Sequence, residues 1–146
     1  MIVPDVNLLV HAHNRGSPDH AAARAWWEGC LNGGEPVGLA WAAMLGFVRL
    51  TTSRQVFVRP LPVATAVVMV EEWLAQPVVR IVVPGRDHAK LCFGFLRKLG
   101  VGGNLTSDAH LAALAVEYQA ELHSTDTDFA RFAGLRWRNP LGDFDR

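Results

Sequence analysis

The chain opens on a short apolar run, Met1-Ile2-Val3-Pro4, that stops on a carboxylate, Asp5, and a helix-like pattern starts at Asn7. A strand buried on both faces reads as a continuous apolar run, and such strands belong to parallel sheets. Ligands of open α/β sheets collect outside the carboxyl ends of the strands. Aspartate is rarely buried without a partner, so packing explains Asp5 poorly. What the fold brings to Asp5 is therefore the main question for the remaining residues.

Further strand-like runs follow at Val37–Ala40, 78–83 and 120–124, with a last edge strand at 135–137 before a polar tail. Helix-like stretches separate them. Residues 7–13 form the first. Ser17 as N-cap and Pro18 at the first helical position start the second, which runs through Cys30. The third covers 41–52, with Trp41, Met44, Leu45 and Val48 as its stripe and Phe47 and Leu50 off it. The fourth covers 62–76, with Val63, Val67, Val70 and Leu74 on one face. Asp87 caps a helix to Leu99. Thr106-Ser107-Asp108 opens the last, whose apolar face is Leu111, Leu114, Ala115 and Tyr118. This alternation predicts an α/β fold, a central and mostly parallel sheet of four to five strands with helices on both faces. The length, 146 residues, suits one domain over 1–146.

Half of the residues are hydrophobic, which allows a sizeable core and excludes a disordered chain. Fourteen basic and fourteen acidic residues cancel, so attraction to nucleic acid or membrane must come from a local patch. Cys30 and Cys92 lie far apart, as expected of reduced, structural thiols in a cytoplasmic protein. No signal peptide and no apolar run of membrane-spanning length is visible. Nothing resembles a GxSxG or Cys-His nucleophile. Gly100, Gly102 and Gly103 do not directly follow a strand, so they read as a flexible hinge and not a dinucleotide fingerprint.

Four acids stand at places the topology can bring together. Asp5 ends strand one, Asp108 lies in the first turn of a helix, and Asp126 and Asp128 follow strand four. Converging carboxylates repel and raise one another's pKa, and a hard divalent cation relieves this. Acids without His or Cys favour magnesium or manganese over zinc. Two of the acids also have plainer readings: Asp108 as a helix cap or dipole partner, Asp126 as the cap of a short helix over 128–132.

Four segments then carry a resemblance: Pro4-Asp5-Val6-Asn7; Phe47-Val48-Arg49-Leu50-Thr51-Thr52; Thr106-Ser107-Asp108-Ala109-His110-Leu111-Ala112-Ala113; and Ser124-Thr125-Asp126-Thr127-Asp128-Phe129-Ala130-Arg131-Phe132, which continues into Gly134-Leu135-Arg136-Trp137 and Asn139-Pro140-Leu141. In this order the chain resembles PIN-domain proteins, and more narrowly VapC-type toxins of bacterial toxin–antitoxin pairs. The resemblance implies a three-layer α/β/α fold and a Mg2+- or Mn2+-dependent endoribonuclease that cuts structured RNA, tRNA or rRNA, and slows translation. It implies metal ligands at Asp5, Asp108 and Asp126, a catalytic set completed by Asp128, and hydrogen-bonding support from Asn7 and Thr125. It also implies a VapB-type antitoxin and a homodimer. One departure stands out. Many members carry Glu directly before the Phe-x-Arg segment, where this chain has Gly46. One ligand fewer predicts weaker metal affinity, and it leaves open a binding module that grips RNA or antitoxin without cutting. A phosphohydrolase of Asp-x-Asp type would need a second acid where Asn7 stands.

The helices over 41–52 and 62–76 have two readings, core packing or a groove for an amphipathic antitoxin helix lined by Trp41, Leu45, Val48, Arg49, Val67 and Val70. Five Trp favour a partner surface. Arg49, inside an apolar helix, is expected to pair with a carboxylate or an antitoxin group. Arg54, Arg59, Arg86 and Arg131 are either RNA-phosphate contacts or ordinary solvated surface. His11 and His13, two apart on a helix, do not chelate well. His110 reads as helix surface.

Overall fold

Five short strands form one sheet in the order β3-β2-β1-β4-β5, with β1 at Ile2–Pro4, β2 at Val37–Ala40, β3 at Val79–Val82, β4 at Glu121–His123 and β5 at Trp137–Arg138. This is a computed structural model that describes residues 1–142, so the end of the polar tail, 143–146, lies outside the described residues. All four strand pairs are parallel, as expected from the alternation of elements. The first strand lies at the centre and pairs with β4, Ile2 with Glu121 through Pro4 with His123. Its pairing with β2 is a single bridge, Ile2 to Val37. Pro4 explains the difference, because it has no N–H to continue the ladder toward β2. On the other side Asp5 N–H resumes the bonding, donating to the His123 carbonyl at 2.9 Å.

Helices α2 (His20–Asn32) and α3 (Trp41–Thr51) both pack on α1 (Val6–His13), and α4 (Val63–Leu74) packs on α3; α5 (His88–Leu99) and α6 (Leu105–Glu117) pack together on the return crossover. The result is the three-layer α/β/α arrangement. No described helix is long and apolar enough to cross a membrane.

Boundaries shift where turn chemistry competes. The second helix begins at His20, after a turn in which Ser17 Oγ accepts the Asp19 N–H at 3.1 Å; Ser17 and Pro18 precede the helix instead of opening it. The Asp87 side chain makes no capping bond. The edge strand is Trp137–Arg138, starting two residues and ending one residue later than expected. Tyr118 leaves the apolar face of α6: it is exposed, and its hydroxyl donates to the Val83 carbonyl.

The inward faces of α3 and α4 differ most from the sequence reading. The third helix buries Ala43, Met44, Phe47 and Thr51, while Trp41 and Leu45 are 52% and 61% exposed. The fourth buries Ala66, Val70 and Trp73 and turns Val63 and Val67 outward. Val70 therefore belongs to the core and not to a groove. Phe47 meets Trp73 at 4.6 Å between ring centroids, and Trp73 meets Trp27 at 5.5 Å edge-on. These rings lock α2, α3 and α4 together. Of the five Trp, only Trp41 is exposed, so tryptophan content mostly reports the core. Cys30 and Cys92 are both free and buried, and burial raises the Cys30 thiol to about 11.

Candidate metal centre

Asp5 has extended backbone at the end of β1 and caps α1, its Oδ1 accepting the Val6 N–H at 2.8 Å. Its other oxygen, Oδ2, accepts from Ser124 Oγ at 2.7 Å. Ser124 is fully buried just after β4, and its Oγ accepts the Asp126 N–H at 3.0 Å. Asp126 in turn caps the 3-10 turn Thr127–Arg131, its Oδ1 accepting the Asp128 N–H at 2.9 Å. The capping role foreseen for Asp126 is thus real, and it holds the side chain at the site. One bonded sequence runs from Asp5 through Ser124 and Asp126 to Asp128.

Asp108 reaches the same place from the first turn of α6. One carboxylate oxygen each from Asp108, Asp126 and Asp128 lies within 4.8 Å of the others. Asp5 stands beside this trio, close enough that its charge acts on Asp108 and is acted on by Asp126. Burial, then Asp126, Asp5 and Asp128, lifts the Asp108 carboxyl to about 6. Burial also raises Asp5, against the lowering effect of its bonds to Ser124 and Val6. Every influence on Asp108 is raising, so no basic side chain neutralises it. An oxygen-only set of repelling carboxylates fits a hard divalent ion, Mg2+ or Mn2+, and lacks the nitrogen or sulfur that zinc prefers.

A PIN domain family model matches residues 2–135. The chain is 49% identical over 141 residues to Ribonuclease VapC33 of Mycobacterium tuberculosis, covering 97% of this chain and 99% of that one. It is 45% identical over 140 residues to Ribonuclease VapC37 of the same organism, covering 96% and 97%. The chain belongs to the PIN domain family, VapC type.

The PIN fold is also seen in solved structures at low sequence identity. VapC20 of Mycobacterium tuberculosis, described as a sarcin-ricin loop cleaving toxin, superposes with a TM-score of 0.68 at 19% identity, over 93% of this chain and 99% of that one. VapBC2 of Rickettsia felis, bound to a DNA fragment from its promoter, gives 0.65 at 16%, over 95% and 98%.

Around the carboxylates of this PIN domain the supporting residues differ from expectation. Asn7 is exposed on α1, and neither Asn7 nor Thr125 makes a side-chain hydrogen bond among the described residues. Ser124 bridges the acids instead. Its only sequence signal is a small polar residue two before Asp126 at a strand end. Gly46 is half-buried on α3, where a Cβ would stand 3.2 Å from Val6 Cγ2. The place of the family's Glu therefore faces an apolar branch next to Asp5.

Arg131 ends the 3-10 turn that carries Asp128, and Arg86 lies in the loop at the carboxyl end of β3; both are exposed. Arg54 is exposed after α3, and Arg59 lines a cleft of about 720 Å3 with Arg15 and His13. Arg49 is exposed and forms no ion pair with a carboxylate among the described residues, which leaves the antitoxin group of the two partners expected for it. His11 bonds Ser17 Oγ at 2.8 Å while His13 packs edge-on against Phe47, so the two do not converge. His110 is not plain helix surface, being half-buried against His88.

Proposed function

We propose that this chain is a Mg2+- or Mn2+-dependent endoribonuclease that cleaves structured RNA, tRNA or rRNA, and inhibits translation until a VapB-type antitoxin neutralises it. The observation that carries this reading is the carboxylate trio Asp108, Asp126 and Asp128 within 4.8 Å, with Asp5 beside it. Relatives named as ribonucleases at 49% and 45% identity support the activity, and the VapBC complexes among the fold's neighbours support the partner. The same reading makes the protein cytoplasmic and a homodimer.

Asp108 and Asp126 hold the ion, with Asp5 as a further ligand and Asp128 binding directly or through water. When bound, such an ion lowers the pKa of a water and offsets charge developing on a phosphodiester. Asp126 and Asp128 orient the attacking water. Ser124 and the Val6 N–H keep the Asp5 carboxylate pointed at the site. Arg131 and Arg86 bind flanking phosphates, Arg54 and Arg59 more distant ones. The antitoxin helix lies on the outer stripe of α3 and α4, formed by Trp41, Leu45, Arg49 and Val67, with half-buried Val48 at its edge.

Incubation of the purified protein with total tRNA, with magnesium or with chelator, tests the activity. Fragments that need the metal support the reading, and intact RNA in both arms sinks it. Gly46 favours one second reading, a PIN domain that grips RNA or antitoxin without cutting, since no acid stands on α3 beside Val6. Bound but uncut RNA in the same experiment selects it.

A further inference from the structure

Away from the carboxylates, α5 and α6 share a second polar cluster. His88 Nε2 and His110 Nδ1 lie 2.9 Å apart, their rings edge to face at 77°. On the other side of His88, Nδ1 lies 3.1 Å from Glu117 Oε1. A carboxylate only accepts, so Nδ1 carries the proton, and in the neutral ring the lone pair is left on His88 Nε2. Glu117 is itself fixed: Oε1 also accepts the Gly85 N–H at 3.1 Å, and a Cβ at Gly85 would overlap Oε2. The side chains of His88 and Glu117 are only 13% and 11% exposed.

We propose that His88 and His110 form a binding site for a divalent ion of the zinc class, distinct from the carboxylate cluster. A carboxylate that orients one imidazole so that its other nitrogen faces a second imidazole is the outer-sphere arrangement of metal-binding histidines. Two nitrogens at about 2.0–2.1 Å from a tetrahedral ion stand about 3.3 Å apart, so the gap opens by about 0.4 Å through small ring rotations. His110 moves its ring proton from Nδ1 to Nε2, which has no protein partner among the described residues, and both lone pairs then face the ion. Water fills the remaining positions. Imidazole nitrogen suits zinc, copper and nickel, whereas the oxygen-only cluster suits magnesium, so the two sites select different ions. A bound ion ties α5 to α6, the helix that carries Asp108 two residues before His110.

Calorimetric titration of the full chain with zinc, in excess magnesium, tests this. The expected result is one zinc per chain for the native protein and for Asp108→Asn, no measurable uptake for His110→Ala, and roughly tenfold weaker uptake for Glu117→Gln. No uptake by the native chain, uptake unchanged in His110→Ala, or uptake lost only in Asp108→Asn overturns the assignment. Should the His110 variant not fold, the visible spectrum of the native chain with cobalt decides. Intense tetrahedral bands support nitrogen ligation, and a pale octahedral spectrum rejects it.

Discussion

Ser124 Oγ donates to Asp5 Oδ2 at 2.7 Å, a buried bond between residues 119 positions apart. The same oxygen accepts the Asp126 N–H, so one hydroxyl sets two acids. Ser124→Ala leaves both partners short, at a cost of about 1–3 kcal/mol. Denaturant unfolding measures it. Ser124→Thr, which keeps the hydroxyl, recovers most of the RNA cleavage lost in Ser124→Ala; equal loss in both variants would argue against a hydrogen-bonding role.

Asp5→Asn keeps an oxygen for the Val6 N–H, so the fold persists while the charge beside the trio goes. RNA cleavage falls at least about a hundredfold, the scale of a lost charged group acting at the reacting centre. Circular dichroism confirms folding. Full activity in this variant would overturn the site assignment.

The raised Asp108 carboxyl fixes the pH behaviour of the metal-free protein. Its pKa is about 6 in the fold against an ordinary 3.8, so the folded chain binds this proton more tightly than the unfolded one. The resulting stability is present in full below 3.8 and is lost as pH rises through about 6. With chelator, melting is therefore higher near about pH 5 than near about pH 7.5, as far as this site contributes, and Asp108→Asn reduces the difference. Magnesium added at the higher pH restores stability, because the ion binds the ionised carboxylates. A melting temperature with the opposite pH trend, unaltered in Asp108→Asn, would contradict this.

Gly46 and Val6 form a coupled pair. A Cβ at 46 crowds Val6 Cγ2 at 3.2 Å, so Gly46→Glu costs about 1–2 kcal/mol by overpacking, and adding Val6→Ala relieves it. In the double variant a carboxylate reaches the cluster, and the magnesium needed for half-maximal cleavage drops. An unchanged requirement would mean that the missing acid is irrelevant to ion binding here.

The two sides of α3 give opposite outcomes. Phe47 is fully buried against Trp73, and Phe47→Ala costs about 3–5 kcal/mol. Leu45→Lys, on the exposed stripe, changes stability by no more than about 0.5 kcal/mol. It weakens capture of a VapB-type antitoxin, the partner proposed above. Undiminished capture would move the partner elsewhere.

The strand–helix alternation and the four acids were legible because both depend on strong local signals. Apolar runs bounded by turn residues mark the strands, and a carboxylate at a buried strand's end has few explanations. The inward face of α3 was not legible, because the helix is apolar nearly all round and periodicity lacks contrast. Trp41, Leu45 and Val48 mark a stripe as well as Ala43, Met44 and Phe47 do, and only the neighbours α1 and α4 decide between them. The role of Ser124 is not legible for the opposite reason: one hydroxyl carries no pattern, and its importance lies in what β1 and β4 bring within 2.7 Å.

The sheet order has a consequence for synthesis on the ribosome. β1, made before the other four strands of the sheet, waits at the centre until β4 slots in beside it. A nascent chain that ends before Ser124 has no Asp126 or Asp128 and lacks the hydroxyl that holds Asp5 Oδ2. The carboxylate cluster therefore comes into being only after the ribosome has passed Asp128, and products interrupted before that point lack it altogether.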